Sequence, residues 1–414
     1  MVNVAILGYG VVGSGVAEVI RINRESIKER AGQEIRVKWI LDVRDFENSP
    51  DQDVLTKNAD DVFNDESVSI VIETIGGAKI AHDFTKRALM AGKSVVTSNK
   101  ELVATHGPEL LKLAQEKGVS YLFEASVGGG IPIIRPLNQC LAANDIEGIT
   151  GILNGTTNYI LTQMRKGGKD FEVALKGAQE NGYAEANPTA DIEGHDTCRK
   201  IAILSSIAYN EFVDYNNIYT EGITKISVTD MKYAEALGGV IKLIAISKKV
   251  DGKIFARVSP AIIMDEHPLS NVDDVFNAIV VKGNALGDAM FYGRGAGKLP
   301  TASAVVADVI DIAKHPDFGT KSVWVRQSEN NVMNIEDSQT KYLVRVKYRN
   351  AQEAKKYIES VFGKVKYVEL PSADNEFAFV TDKASEAQLN SNISALDGIG
   401  SISGVVNKVR IELE

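Results

Sequence analysis

Short apolar runs alternate with segments of helical periodicity along the N-terminal third of the chain. Short runs of mostly apolar residues fit buried strands of a parallel sheet. They are Asn3–Leu7, Ile35–Leu41, Val68–Glu73, Ser94–Thr97 and Ser120–Phe123, with helices predicted over Ser14–Asn23, Ala81–Ala91 and Pro108–Glu116. This order predicts an α/β fold with a Rossmann-type, doubly wound parallel sheet, whose ligands bind beyond the carboxyl ends of the strands.

The C-terminal part of the chain has a different order of elements. Strands are predicted over Tyr342–Tyr348, Val365–Leu370, Glu376–Thr381 and Ile402–Val409, and helices over Ala351–Val361 and Glu386–Leu396. The resulting β-α-β-β-α-β order is that of a ferredoxin-like module. The polar stretch 319–340 before it is predicted to be a linker.

The composition is that of a globular protein with two or three domains. Of 414 residues, 44% are apolar and 24% are charged, and the net charge is −9. The acidic balance disfavours nucleic-acid binding. No apolar run approaches the roughly 20 residues that span a bilayer, and no basic segment precedes the first apolar run. We therefore expect a cytoplasmic protein with no membrane or nucleic-acid partner.

Cysteine and histidine usage argues against thiol and zinc chemistry. Cys140 and Cys198 are the only cysteines, so a disulfide framework and a cysteine-rich zinc site are excluded. The five histidines are scattered singly. None has a partner at a metal-ligand spacing such as H-E-x-x-H.

A glycine motif, Gly8-Tyr9-Gly10-Val11-Val12-Gly13, stands between the first predicted strand and the first predicted helix. In a dinucleotide fold the first glycine permits a tight turn, and the second lets a pyrophosphate approach the backbone. The third lets the helix pack closely on the strand. A glycine-rich turn without a ligand is the alternative. The context favours nucleotide binding by Gly8, Gly10, Val11, Val12 and Gly13.

The second predicted strand ends in Asp42-Val43-Arg44-Asp45. An acid at this strand end binds ribose hydroxyls, whereas an arginine accommodates a 2′-phosphate. Because Asp42 and Arg44 are both present, the residues leave NAD and NADP open, and a solvated charged turn is the third interpretation.

Polar segments also follow the later strands, at Thr74–Gly77, at Asn99-Lys100 and at Glu124. They are expected along the same rim, where Lys100 is predicted to contact a ligand. The glycine cluster Ala125–Pro132 has two interpretations. It is a chain reversal into a helix, which the residues alone favour, or a loop whose carbonyls join Glu124 around a monovalent cation.

Two further segments precede predicted helices. Asn154-Gly155-Thr156-Thr157-Asn158 leads into Tyr159–Met164. Its small hydroxyls could cap that helix or touch a substrate, and capping is the simpler interpretation. Gly293-Arg294-Gly295-Ala296-Gly297 precedes Thr301–Ala313. It permits close approach of a helix and a ligand, or is a flexible connection.

The stretch from Gly182 to Lys200 is the richest in ionisable side chains. Asp196 and Lys200 are four residues apart and share one helical face. A partly buried lysine held by aspartates can transfer protons to or from an alcohol. Glu185 and Asp191 add carboxylates, which suit a substrate with an amino group. An acidic solvated loop is an equally strong interpretation of this stretch alone.

These motifs together resemble the homoserine dehydrogenase family, in the long bacterial form with a C-terminal regulatory domain. They occur in the family's order over roughly residues 1–320, and the stretch from Glu185 to Lys200 is the most specific. The matching segments are Gly8–Gly13, Thr97–Lys100, Glu124–Pro132, Leu153–Asn158, Gly182–Lys200 and Gly293–Gly297.

The resemblance implies roles at the substrate. Lys200 corresponds to the lysine that transfers the hydroxyl proton, and Asp196 to its partner, which also touches homoserine. Glu185 corresponds to the residue that binds the substrate amino group, with Asp191 in support. Lys100 corresponds to a lysine near the nicotinamide and the substrate.

The resemblance also implies ligands. Cofactor contacts are expected from Gly10–Gly13, Gly182 and Gly297, with Arg44 near the adenosine phosphate, so that NADP is favoured over NAD. A sodium ion is expected at Glu124 with the backbone carbonyls of three loop residues, which are Val127, Gly129 and Ile131.

The implied activity is the NAD(P)-dependent interconversion of L-homoserine and L-aspartate 4-semialdehyde in threonine, methionine and isoleucine biosynthesis. The implied assembly is a homodimer or homotetramer. A Rossmann domain would comprise 1–135 and 300–318, and an α+β substrate-binding and dimerisation domain 136–299. After the linker, 341–414 resembles an ACT domain, which in this family often senses threonine.

Three alternatives stay open. The usual glycine-containing turn after the first strand of an ACT domain is replaced by Arg349-Asn350-Ala351-Gln352, so a purely structural module competes with an effector site. An aspartate-semialdehyde dehydrogenase would need a cysteine nucleophile with a histidine base, a setting that neither cysteine has. A catalytically silent NADPH-binding regulator would not need Glu185, Asp196 and Lys200.

Overall fold

The computed structural model of the protein describes residues 1–412. They form two compact units. The first comprises 1–147, 199–216 and 279–329, and the second comprises 148–198, 217–278 and the chain from 330 onward.

The N-terminal part of the first unit is a six-stranded parallel sheet in the order β3-β2-β1-β4-β5-β6. This confirms the predicted doubly wound sheet. Its strands are β1 (Val2–Leu7), β2 (Ile35–Leu41), β3 (Leu55–Thr56), β4 (Val68–Glu73), β5 (Ser94–Thr97) and β6 (Tyr121–Leu122). Its helices are α1 (Val11–Ile22), α2 (Arg24–Ala31), α3 (Ala59–Phe63), α4 (Lys79–Met90) and α5 (Lys100–Lys117).

Helix α5 begins eight residues before the predicted start at Pro108, so that boundary was wrong. The side chain of Asn99 accepts a hydrogen bond from the backbone of Leu102 and caps the helix at Lys100. Proline favours the first turn of a helix, but Pro108 lies in the interior of α5. The cap therefore decides where α5 starts.

The middle of the chain adds elements that the sequence analysis predicted only in part. They are β7 (Ile146–Ile152), α6 (Gly155–Gly167), α7 (Phe171–Glu180), α8 (Thr189–Ile192), α9 (His195–Tyr209), β8 (Tyr219–Thr220), α10 (Val228–Leu237), β9 (Gly239–Val250), β10 (Lys253–Met264), β11 (Phe276–Gly283), β12 (Gly287–Arg294) and α11 (Lys298–Lys314). Helix α11 packs against α1 in the core of the first unit, where Val305 and Val309 share an apolar cluster with Val16 and Ile20.

The C-terminal elements have the predicted β-α-β-β-α-β order with one short extra strand. They are β13 (Gln339–Tyr348), α12 (Ala351–Phe362), β14 (Lys366–Val368), β15 (Glu376–Val380), β16 (Ala384–Ser385), α13 (Glu386–Ser394) and β17 (Ile402–Glu412). Their main strands lie in the antiparallel order β17-β13-β15-β14. Strand β17 also pairs in parallel with β10, so this module continues the sheet of the second unit.

Two charged groups reinforce that junction within the second unit. The buried guanidinium of Arg345 donates to Asp230 on α10 at 2.6 Å and to Glu376 on β15 at 2.8 Å. Arg410 on β17 donates to Glu386 and Glu221, both at 2.6 Å. Because these charges are buried, removal of one partner would leave the other uncompensated.

The segment predicted to be a linker holds a buried tryptophan. Trp324 is 3% exposed, and a β-carbon added at Gly107 of α5 would lie 2.4 Å from its ring. This part of the segment therefore packs on the first unit. Within residues 1–412, no helix is both long and apolar enough to cross a membrane.

Candidate active site

The glycine turn joins β1 to α1 with very little space. A β-carbon at Gly13 would lie 1.9 Å from the carbonyl oxygen of Gly8 and 2.8 Å from Oγ1 of Thr74. A β-carbon at Gly10 would meet only a guanidinium nitrogen of Arg44, at 3.9 Å. Gly13 is thus needed for close packing, whereas Gly10 and the exposed Val11 at the start of α1 border open space. A helix N-terminus open to solvent is suited to a pyrophosphate.

Asp42 and Arg44 form one ion pair at the end of β2. The carboxylate of Asp42 accepts from the backbone of Tyr9 at 2.7 Å and from Nη2 of Arg44 at 2.9 Å. Hydrogen bonds from Arg44 hold the pKa of Asp42 well below its usual range. The side chain of Arg44 is 58% exposed and lies over Phe46. An adenosine ribose bound beside Gly10 would thus meet both a carboxylate and a guanidinium.

At the carboxyl-end rim of the sheet, polar side chains form hydrogen bonds that were only partly predicted from the sequence. Thr74 donates to the carbonyls of Leu7 and Gly8, which fixes the turn after β1. Thr97 donates to the buried carboxylate of Glu73 at 2.5 Å, and burial raises the pKa of Glu73 to about 7. The position of these polar residues at strand ends was the available signal.

Asn99 connects the next two strand ends. Its side-chain amide donates to the carbonyls of Ile75 at 3.1 Å and Gly77 at 2.7 Å. Lys100 follows as the first residue of α5. The predicted placement of Thr74–Gly77, Asn99 and Lys100 along one rim is therefore confirmed by the parallel sheet and these bonds.

Glu124 accepts hydrogen bonds from the backbone that follows the glycine cluster Ala125–Pro132. Its buried carboxylate accepts from the backbone of Ile133 and Ile134 through Oε1, and from that of Arg135 through Oε2. A β-carbon at Gly129 would lie 2.4 Å from the carbonyl oxygen of Gly295. The glycine cluster Ala125–Pro132 therefore packs against the segment Gly293–Gly297 within the first unit.

A second buried carboxylate lies beside Glu124. Asp308 on α11 accepts from the backbone of Glu124 at 2.8 Å and pairs with Arg135. Burial, followed by the charge of Glu124, raises the pKa of Asp308 to about 7. Glu124 and Asp308 are two buried carboxylates with one arginine, Arg135, beside them, so a further cation would stabilise their charged forms.

Glu124 can contribute a carboxylate oxygen to a cation at this position. A carboxylate has about four acceptor positions, and backbone donors use three of those of Glu124, which leaves one on Oε2. Hard cations take carboxylate and carbonyl oxygens. The loop carbonyls that the resemblance implies are those of Val127, Gly129 and Ile131, and they stay a prediction.

In the second unit, Asn154 donates hydrogen bonds to two of the carboxylates that are predicted to bind the substrate. Its amide nitrogen donates to Asp191 at 2.7 Å and to Asp196 at 2.9 Å. Its amide oxygen accepts from the backbone of Thr157 at 2.8 Å and caps α6. Capping by this segment is thus confirmed, although the cap is the Asn154 amide and not a hydroxyl, and the helix begins at Gly155 and not at Tyr159. The bridge between the two acids was not predicted.

Lys200 follows Asp196 by one turn of α9 and is 8% exposed. Glu185 and Gly182 lie on the exposed loop after α7, where the backbone oxygen of Glu185 accepts from Gln179. Gly297 precedes α11 in the first unit. The structure thus unites Asp191 with Asp196, and places Lys200 on the helix that carries Asp196.

These features define a dinucleotide-dependent oxidoreductase. The parallel sheet supplies a nucleotide turn, while the buried lysine and bridged acids suit proton transfer at an alcohol. Comparison with known proteins narrows this class to one family.

Family models for homoserine dehydrogenase and its NAD-binding domain match residues 132–310 and 8–124. The homoserine dehydrogenase of Bacillus subtilis is 38% identical over 99% of this chain and 98% of its own. That of Synechocystis is 41% identical over 83% of this chain and 82% of its own. The chain belongs to the homoserine dehydrogenase family.

Solved structures agree with this assignment. The homoserine dehydrogenase of Thiobacillus denitrificans superposes with a TM-score of 0.90 at 37% identity, covering 99% of this chain and 98% of that one. A hyperthermophilic archaeal homoserine dehydrogenase in complex with NADPH gives a TM-score of 0.64 at 31% identity, covering 76% of this chain and 98% of that one. The expected activity, an oxidoreductase acting on a CH–OH group, is confirmed, and the two rival functions are not favoured.

Proposed function

We propose that the chain interconverts L-homoserine and L-aspartate 4-semialdehyde, with Lys200 moving the hydroxyl proton. In the reducing direction the aldehyde oxygen gains a proton, and in the oxidising direction the alcohol oxygen loses it. A bound nicotinamide cofactor would supply or accept the hydride at the carbon that carries this oxygen. The observation that carries the proposal is the Asn154-bridged acid pair, one helical turn before a buried lysine. The test is an ultraviolet assay of nicotinamide oxidation state with homoserine and each cofactor.

The side chains proposed to bind the substrate ammonium are acidic, whereas Lys200, the proposed proton-transfer group, is basic. The carboxylates of Asp191 and Asp196 face one amide nitrogen, so they offer neighbouring acceptors to a substrate ammonium. Glu185 on its exposed loop would add a third acceptor. Lys100, at the start of α5 on the cofactor rim, would contact the substrate and the nicotinamide.

Replacement of Glu185 by glutamine is expected to raise the KM for homoserine roughly 10- to 100-fold and to change kcat little. The substitution keeps the size of the side chain but removes the charge that attracts the ammonium. Steady-state kinetics at saturating cofactor measures both constants. Glu172→Gln, at an exposed carboxylate of α7, is the matched control. A selective loss of kcat would contradict a role in substrate binding.

We propose NADP as the preferred cofactor, with Arg44 as the ligand of its 2′-phosphate and NAD accepted less well. The exposed guanidinium can form charge-assisted bonds with a phosphate. Its bond to Asp42 places a carboxylate nearby, which would repel that phosphate. Preference therefore depends on the balance between the two side chains. Gly8, Val12, Gly13, Gly182 and Gly297 would complete the cofactor contacts.

Arg44→Ala is expected to lower kcat/KM for NADP roughly 30-fold more than that for NAD, because it removes the cation and exposes the phosphate to Asp42. Asp42→Asn should shift the ratio in the opposite direction, since the amide keeps an acceptor without the charge. Initial rates with both cofactors give the ratio. Equal losses with NAD and NADP in the arginine variant would remove Arg44 from the determinants of preference.

A sodium ion held by Glu124 and by the carbonyls of Val127, Gly129 and Ile131 is part of the proposal. The remaining acceptor position on Glu124 and the burial of Asp308 beside it support it. Such an ion would supply positive charge to two buried carboxylates. It would fix the glycine loop that packs on Gly295.

The C-terminal module is proposed to be an ACT-like regulatory domain, with a purely structural role as the competing proposal. The turn after β13 forms internal bonds, since the backbones of Arg349 and Asn350 donate to Ser401, and the side chain of Asn350 caps α12. Threonine, the effector that the resemblance implies, would have to compete with these bonds in that turn.

A homodimer or homotetramer is also proposed. Strand β12 lies at one edge of its sheet and has Met290 and Tyr292 exposed to 40% and 56%. An exposed edge strand with apolar side chains is a surface suited to a second copy.

A further inference from the structure

Two histidines that are far apart in the sequence meet on the surface of the first unit. His82 lies on α4, and His106 lies on α5 together with Glu109. The two imidazole rings are 4.1 Å apart between centroids and inclined by 30°. Because His82 and His106 are far apart in the sequence, no metal-ligand spacing predicted this pair.

The three side chains direct ligand atoms at one point. Nε2 of His82 lies 3.0 Å from Oε2 of Glu109, and Nδ1 of His106 lies 3.9 Å from the same oxygen. One ligand atom from each residue can be chosen so that all lie within 4.8 Å of one another. Zinc–ligand bonds of about 2.0–2.2 Å place neighbouring ligands of a tetrahedral site roughly 3.3 Å apart. The observed distances bracket that separation, so small side-chain rotations suffice.

Neighbouring charges orient the group. Asp83 lies 3.6 Å from Nδ1 of His82, on the ring edge opposite the shared centre. A carboxylate at the second ring nitrogen is the usual outer partner of a metal-binding histidine, and it leaves Nε2 to bind the ion. Lys86 donates to Oε1 of Glu109 at 2.8 Å, which leaves Oε2 directed at the histidines.

We propose that His82, His106 and Glu109 form a zinc-class site, in which two imidazoles and one carboxylate bind a divalent transition-metal ion. The ligand set contains nitrogen and oxygen without thiolate, and three protein ligands leave a fourth position for water. The partial exposure of all three side chains gives the ion access from solvent.

Such an ion would connect the two helices that follow the cofactor rim. Helix α4 follows the loop after β4, and α5 starts at Lys100. Asn99 already joins the ends of these strands through Ile75 and Gly77. Zinc would add a second connection one or two helical turns further from the rim. It would stabilise the native state by mass action, because the unfolded chain lacks the preformed site.

The test is zinc binding to the full chain after removal of metals with a chelator. Isothermal titration calorimetry should show one zinc ion per chain at this site, and cobalt(II) should give the visible absorption of a four-coordinate site. His82→Ala and His106→Ala should each weaken zinc binding roughly 100-fold or more, and Glu109→Gln roughly 10-fold or more. Zinc should also raise the Tm of the parent in a concentration-dependent way that the histidine variants lose.

His315→Ala is the matched control, since this exposed histidine follows α11 and pairs with Asp311, away from His82 and His106 in the sequence. It should leave zinc affinity unchanged. Thermal unfolding without metal should show each variant folded as the parent is, so that lost binding reflects a lost ligand. A parent that binds no zinc, or histidine variants that bind it as tightly as the parent, would overturn the proposal. Magnesium should not compete, because it prefers oxygen ligands.

Discussion

Replacement of Lys200 by alanine is expected to lower kcat by roughly 1000-fold or more while the affinity for the cofactor stays within about threefold of the parent. The proposed role of this side chain is to exchange a proton with the substrate oxygen as the hydride moves. Without it, the developing charge on the substrate oxygen loses its proton-transfer partner, which bulk water replaces poorly. Stopped-flow or steady-state nicotinamide absorbance measures kcat, and the fluorescence of the bound reduced cofactor measures affinity.

Lys200→Arg separates proton transfer from charge. A guanidinium keeps the positive charge but does not release its proton in the physiological range. If the ammonium acts as an acid and a base, the arginine variant should be almost as inactive as the alanine variant. Recovery of more than about a tenth of the parent activity would assign Lys200 an electrostatic role. Lys314→Ala, at an exposed lysine of α11, controls for the loss of one positive charge.

Five strands of the parallel sheet could be predicted because each is a short run of mostly apolar residues that ends at turn or polar residues, whereas the two-residue β3 was not predicted. Strands β2, β4 and β5 have the predicted limits.

The long hairpin of β9 and β10 was not predicted, although its turn contains a sequence signal for a hairpin. Asp251 and Gly252 form a two-residue turn with φ of 50° and 80°, and Asp-Gly is a preferred hairpin dipeptide. Its strands are buried along most of their length, so they lack the alternation that marks a half-exposed strand.

The candidate site shows a similar division. Residues at strand ends could be placed on one rim from the order of strands and helices, because parallel strands end at the same edge. The double role of Asn154 could not, since its bonds to Asp191 and Asp196 span 37 and 42 residues. Spacing along the chain likewise concealed the meeting of His82 with His106, which depends on how α4 packs on α5. Local patterns predict elements and their order, while contacts between distant side chains require the packed structure.

Gly13→Ala is expected to weaken cofactor binding roughly 100-fold and to destabilise the protein by about 1–3 kcal/mol. The added methyl group would lie 1.9 Å from the carbonyl oxygen of Gly8, and that turn is held by Thr74. Helix α1 must therefore move away from β1. The backbone N–H groups at the start of α1 would then lose their alignment with a pyrophosphate. A nucleotide titration and a thermal unfolding curve measure the two effects.

Gly10→Ala makes the argument specific, because its methyl group would meet only Arg44, at 3.9 Å. This variant should keep the Tm of the parent and still bind the cofactor more weakly, since the methyl group occupies space that a pyrophosphate needs. Gly177→Ala in α7, where the nearest atom is the Tyr159 hydroxyl at 3.8 Å, should affect neither property adversely. If Gly10→Ala lowered Tm as much as Gly13→Ala, the loss of cofactor binding would follow from general destabilisation. A normal Tm with weak cofactor binding for Gly10→Ala, beside losses of both for Gly13→Ala, assigns ligand approach to Gly10 and helix packing to Gly13.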